Sequence, residues 1–485
     1  MTFNSLEFLI FFPIVALLYF VLPKKCRMPL LLIASYYFYM FYQPELVVLI
    51  LLSTAVSYFA SLMIERTESI KRKKVWLILG LSVSLGILFF FKYFNFLFDT
   101  FGSIADLLGL TVPPLVLRLV LPVGISFYTF QTLSYVIDVY RGNIKAERNF
   151  FYYALFVSFF PQLVAGPIER PDNLLPQLKG EHRPNRENFV RGGQYMLLGF
   201  FKKICVADAV AVYVEKIYNS PESATSLGIV IATLLFSVQI YCDFSGYTDI
   251  ATGCARIMGI RLMKNFDRPY SSASIKEFWD RWHISLSGWF RDYLYIPLGG
   301  NRRGRARRYF NVFLVFLLSG LWHGANLTFV IWGALHGIFR TVGDLTRGAR
   351  GRLLSRLGYS DNDRAVRAVR TVITFALVTF AWLFFRADSM SDVGVLLSAL
   401  FTKHASLSTV LSSMGLGFSE ILFTALSVFT LVLLDRMLVY GKEGEDGGDV
   451  LTGGASFLVF SLLILTVWIL LLSLGKDSSF IYFQF

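Results

Sequence analysis

The chain has 485 residues, 55% of them hydrophobic and 16% charged, with a mean hydropathy of +0.57. A soluble domain carries roughly 25% charged residues, and a soluble chain this apolar would expose patches large enough to aggregate. The net charge of +13 fits lysines and arginines kept in cytoplasmic loops; with no soluble basic face to carry it, it does not point to nucleic acid.

About 20 mostly apolar residues make a membrane-spanning helix. Runs of this kind occupy 6–22, 28–42, 45–64, 75–95, 119–140, 150–168, 192–216, 225–258, 309–321, 326–345, 371–388, 418–435 and 455–474. By length they amount to roughly eleven to thirteen helices, the short or polar ones re-entrant or interfacial. The first run lacks a basic flank and a small-residue cleavage site, so it reads as a retained span. Lys24, Lys25 and Arg27 follow it, Lys71 to Lys74 follow the third run, and Arg141, Lys145 and Arg148 follow the fifth, whereas the turns at 43–45 and 96–117 hold neither lysine nor arginine. The basic loops are therefore expected inside and the N-terminus outside. The next loop, 169–191, is basic again, so the run 150–168, interrupted by Pro161 and Gly166-Pro167, is expected to enter the membrane and return. Irregular backbone at that depth is tolerated only inside protein or against a watery cavity. Basic clusters at Arg302 to Arg308 and Arg347 to Arg370 make 309–321 and 326–345 an up-and-down pair with His323 near its outer turn. The last run delivers the tail 476–485 outside. One integral membrane domain, 1–485, accounts for the chain.

The stretch 265–301 is the least lipid-like part of this half. It contains Glu277-Phe-Trp-Asp-Arg-Trp-His-Ile-Ser-Leu-Ser287 and Arg291-Asp-Tyr-Leu-Tyr-Ile-Pro-Leu-Gly-Gly-Asn301. Trp279, Arg281, His283, Arg291 and Asp292 read either as the cytoplasmic mouth of a cavity or as an interfacial helix tied by salt bridges. His323 stands in Leu321-Trp-His-Gly-Ala-Asn326 between strongly apolar flanks. An ionisable group at membrane depth is costly unless it meets a cavity or a partner. An imidazole suits acyl transfer because it exchanges its proton near neutral pH; a histidine bonded to a neighbouring helix is the structural alternative. Trp322 and Asn326 flank it. His336 is read as structural. In Gln239-Ile-Tyr-Cys-Asp-Phe-Ser-Gly-Tyr-Thr-Asp249, Asp243 and Tyr247 share a helical face, while Asp249 is turned away from Asp243. Cavity lining or helix pairing is expected there rather than a carboxylate dyad. The cysteines Cys26, Cys205, Cys242 and Cys254 form no CxxC pair or Cys/His cluster, so neither disulfides nor a metal site is expected.

Taken together, 277–287, 291–301 and Leu321-Trp-His-Gly324, with Leu121-Pro-Val-Gly-Ile-Ser-Phe-Tyr-Thr-Phe-Gln131, Pro161-Gln-Leu-Val-Ala-Gly-Pro-Ile168 and Asp243-Phe-Ser-Gly-Tyr-Thr-Asp249, resemble the membrane-bound O-acyltransferases. Within that family they resemble the bacterial alginate O-acetyltransferase subfamily. The resemblance implies an all-α polytopic fold, a ring of about eleven transmembrane helices around a central tunnel. It makes His323 the catalytic histidine and puts His283 in the cytoplasmic-side motif. It implies acetyl-coenzyme A as the acyl donor, no bound cofactor, an extracytoplasmic partner acetyltransferase of the SGNH type, an envelope polysaccharide as final acceptor, and a bacterial cell membrane as location.

The tail Phe480-Ile-Tyr-Phe-Gln-Phe485 reads as an aromatic interface anchor or as an acyl carrier. A phenol, with its pKa near 10, is a better leaving group than an alkyl alcohol, so an ester on Tyr482 would keep more transfer potential. The tail also resembles the Phe-Ile-Tyr ending of the small companion peptides of teichoic-acid D-alanylation. The competing readings are a transporter, which predicts inverted repeats that the chain does not display, and a non-catalytic scaffold for polymer export.

Overall fold

The computed structural model describes residues 1–41, 43–110, 117, 120–439, 450–451 and 481. Apart from a two-residue strand pair, Leu438–Val439 with Val450–Leu451, the described elements are helical. Five helices among the described residues are long and apolar enough to cross a membrane: Pro44–Arg66, Ile70–Leu107, Ser226–Ile257, Arg364–Arg386 and Phe418–Asp435. Shorter apolar helices, such as Leu6–Val21, accompany them. That first helix buries Phe8, Phe12, Val15 and Tyr19 while exposing Leu6, Leu9, Ile14, Leu17 and Val21. A helix apolar on its outward face as well as its inward one is built for lipid.

The chain folds as two compact units, one of residues 1–196 and 247–263, the other of 197–246 and 264–485. In the first, Val47–Arg66 packs against Ile70–Leu88 and Ile125–Arg141, and Lys24–Met40 packs against Phe150–Ser158. The run 150–168 is interrupted, as its prolines suggest. Phe150–Ser158 ends at an extended Phe159, and a single turn, Phe160–Leu163, follows. Pro161 has no N–H to give the carbonyl four residues back and stands in the first turn of Phe160–Leu163, where none is needed. The turn expected across 96–117 is corrected in its first half. A π-turn at Phe89–Tyr93 carries the preceding helix on into Phe94–Leu107, where Leu, Phe and Ile dominate and no proline intervenes until Pro113.

In the second unit, Arg305–His323 and Leu327–Leu345 pack against each other, and Leu327–Leu345 packs against Arg364–Arg386. Three residues join the first pair, which makes the helices antiparallel neighbours. Helices at Pro171–Lys179, Arg347–Arg356, Met390–Thr402 and Leu407–Met414 fall in stretches read as loops; each is shorter than a membrane span. The last apolar run, 455–474, lies outside the described residues.

Candidate active site

The helical hairpin that carries His323 is held at backbone contact. A Cβ on Gly320 would sit 2.2 Å from the Phe329 carbonyl oxygen, and one on Gly333 would sit 2.3 Å from that of Phe316. Only glycine permits this approach, the small-residue packing that draws membrane helices together. It brings His323, the last residue of its helix, against Trp332 on the facing helix. The His323 ring is 4% exposed. Trp322, Trp332 and Phe385 meet it edge-on, with ring centroids at 4.9, 5.1 and 5.4 Å. Trp382 closes the wall behind Trp332, stacked at 5.6 Å.

His283 lies beside it, ring centroid 6.5 Å from that of His323. It is one of two non-glycine residues in the left-handed region among the described residues, with φ at +44°. Such a conformation is strained and persists only where the surroundings impose it. Asn265 supplies the imposition. Its Oδ1 accepts from the Ser285 amide at 3.3 Å, the Ser285 hydroxyl at 2.8 Å and His283 Nδ1 at 3.0 Å, and its carbonyl accepts from the Ile284 amide at 2.9 Å. A backbone N–H can only donate, so Asn265 Oδ1 is an acceptor and His283 Nδ1 must carry the proton. His283 Nε2 then holds the lone pair. Burial pushes the imidazole down to about 3, so it is neutral across the physiological range. A tautomer-locked neutral base oriented by an amide next to a second imidazole is an arrangement for moving protons to and from a reacting oxygen or sulfur.

Trp279, expected at a tunnel wall, donates its indole N–H to His336 Nδ1 at 3.2 Å and packs edge-on to Trp332 at 5.8 Å. His336 is fully buried and extends the aromatic cluster, in keeping with its structural reading. Arg281 pairs with Glu277 at 2.9 Å, and Arg367 reaches the same carboxylate at 2.7 Å, which ties the 277–283 turn to Arg364–Arg386. Arg291 and Asp292 pair with each other at 2.8 Å on an exposed π-turn. Asn326 caps Leu327–Leu345 through the Thr328 amide and donates to the Asp388 carbonyl at 2.7 Å. Tyr247 belongs to the first unit and stacks on Phe3 at 4.3 Å.

Asp243 is 1% exposed. Its Oδ1 lies 2.8 Å from Lys203 Nζ, which is also 2.8 Å from Asp208 Oδ1. Its Oδ2 accepts from the Ile481 amide at 2.7 Å. Tyr482 itself lies outside the described residues. Asn265, Lys203, Asp208, Trp332, Trp382 and Phe385 were not singled out in the sequence. Lys202-Lys203 inside an apolar run was a readable signal, since lysines at membrane depth demand partners. Asn265 carried none beyond its place in the polar stretch.

The second unit thus buries a pair of histidines 6.5 Å apart, ring to ring, among apolar helices. The chain belongs to the membrane-bound O-acyltransferase family, whose model matches residues 143–352. It is 37% identical over 507 residues, spanning all of both chains, to a probable alginate O-acetylase (AlgI) of Pseudomonas putida. It is 36% identical over 413 residues to a peptidoglycan O-acetyltransferase of Helicobacter pylori, covering 79% of this chain and 76% of that one. Similarity to a teichoic acid D-alanyltransferase of Bacillus subtilis is 29% over 276 residues, covering 54% and 68%. The protein is a multi-pass membrane enzyme that transfers acyl groups to oxygen.

Proposed function

We propose that the enzyme takes an acetyl group from cytosolic acetyl-coenzyme A and delivers it across a bacterial inner membrane for O-acetylation of an envelope polysaccharide. The observation that carries this reading is the buried pair of His323 and tautomer-locked His283, 6.5 Å apart by ring centroid, in a chain whose full-length relatives include a probable alginate O-acetylase. In this reading, about eleven membrane-crossing helices, the number the family resemblance implies, ring a tunnel. The donor enters from the cytosol, and the tail at 476–485 faces outward.

The first step forms an acetyl-tyrosine. His323 takes the proton of the Tyr482 phenol, the phenolate oxygen bonds to the thioester carbonyl carbon, and the carbon–sulfur bond breaks. The imidazolium returns the proton to the departing thiolate, so free coenzyme A leaves and the histidine is regenerated. In the second step a hydroxyl of an extracytoplasmic SGNH-type partner, and finally of the polysaccharide, attacks the ester and releases the phenol. A phenol ionises near 10, well below an alkyl alcohol, so this ester is the more activated and the onward transfer runs downhill.

The test is to trap the enzyme with radiolabelled acetyl-coenzyme A and map the label by mass spectrometry. Label on Tyr482, absent in His323→Ala, is the expected result. Normal polymer acetylation by Tyr482→Phe in cells would remove the relay. Full acetylation by a His323→Ala protein that still inserts would turn the reading to a scaffold or transporter.

A further inference from the structure

The carboxylate of Asp243 is too costly a group to bury mid-helix without a purpose, and its partners identify one. It sits in Ser226–Ile257, facing the π-helical turn Phe201–Ala207. A π-turn advances one residue more per hydrogen bond than an α-turn, and it is followed directly by Asp208–Tyr218. Across this bulge Lys203 and Asp208 meet at 2.8 Å. The helices approach closely at Gly246, where a Cβ would lie 2.9 Å from the Gly199 carbonyl oxygen and 3.1 Å from Lys202 Cβ. That approach lets Lys203 reach Asp243 as well. Lys202 faces Asp435 at 3.9 Å and Tyr241 donates to Asp435 at 2.8 Å, so the cluster is braced on Phe418–Met437 too.

Lys203 is shared between Asp208 and Asp243. The second oxygen of Asp243 accepts from the main-chain N–H of Ile481 at 2.7 Å, and Ile481 is 5% exposed. A charged acceptor makes the stronger kind of hydrogen bond, and this one reads backbone, not side chain. The next residue of the same helix, Phe244, lies edge-on to His283 with centroids 4.7 Å apart.

We infer that the Asp243–Lys203–Asp208 cluster is a docking site for the chain's own C-terminal segment, with Asp243 as a positioning residue that captures the Ile481 amide. The contact stands by itself; its catalytic purpose, to present residue 482, rests on the relay reading above.

Amide exchange on the detergent-solubilised full chain tests it. The Ile481 amide should be protected in the parent and exchange about tenfold to a hundredfold faster in Asp243→Ala, while amides of Leu327–Leu345 keep their parent rates. Ile481→Pro removes the donor without touching the cluster. Its tail should be trimmed by carboxypeptidase as readily as that of Asp243→Ala, the double variant no more so, and Ile481→Val should resist like the parent. Unchanged Ile481 exchange in Asp243→Ala, or an Ile481→Pro tail as resistant as the parent's, overturns the docking site. The relay fails separately: normal acetylation by Tyr482→Phe with a protected tail removes the relay and leaves the docking site standing. Full acetylation by Ile481→Pro while Tyr482→Phe is inactive overturns the catalytic purpose of the dock.

Discussion

His283→Gln should flatten the acid side of the protein's stability profile. Burial holds the folded imidazole at about 3 against an ordinary 6.5, so between those values the unfolded chain binds a proton that the folded chain refuses. Stability therefore rises with pH through this window and is lost as pH falls below 6.5. With those two values, the loss between pH 7 and pH 5 is about 2 kcal/mol. Glutamine keeps a donor for Asn265 and does not titrate. Unfolding of the solubilised protein, followed from pH 7.5 to pH 4.5 in parent and variant, isolates the histidine because every other group cancels in the difference. A difference that stays flat within about 0.5 kcal/mol would refute the neutral, buried assignment. The same assignment has a kinetic corollary: an acid limb near neutrality in kcat/KM belongs to another group and should survive in His283→Gln.

Asn265→Ala leaves His283 Nδ1 and both Ser285 donors without their acceptor and should lower kcat by about 10²-fold or more. Asn265→Asp should retain most activity and, by placing a carboxylate beside Nδ1–H, should raise the folded imidazole toward its ordinary value and so shrink the acid loss of stability. Gly333→Ala forces a methyl against the Phe316 carbonyl and should cost about 1–3 kcal/mol with a loss of transfer activity. Gly343→Ala, in the same helix with no atom within 4 Å of the added carbon, should do neither. Glu169, buried and accepting from the Met263 amide and Asn173, is raised by burial to about 7 from 4.5. Its folded form keeps a proton that the unfolded form releases, so its contribution is present below 4.5 and is lost as pH rises through 7. Glu169→Gln should remove about 3 kcal/mol of that decline between pH 4.5 and pH 8.

Helix positions were readable because lipid demands runs of fixed length and apolar character. Leu327–Leu345 and Phe418–Met437 coincide with their runs to within two residues. The π-turns at Phe89–Tyr93, Phe201–Ala207 and Arg291–Tyr295 were not readable, since a hydropathy window sums composition and is blind to one extra residue per turn. Asn326 carried a second signal: an asparagine immediately before an apolar periodic run is a capping residue, and its Oδ1 accepts from the Thr328 amide.

The buried polar residues were legible by type and their partners were not, and one physical cause explains both. A polar group at membrane depth is expensive in any fold, so its mere presence singles out His323 and Asp243. The partner that offsets the expense is chosen by tertiary contact. Asn265 is 18 residues from His283, Trp279 is 57 from His336, and Ile481 is 238 from Asp243. No periodicity links such pairs. Asp243 illustrates the consequence: its expected helix-pairing use is what Lys203 provides, while its second oxygen serves a segment that the helical register of 239–249 could not have named.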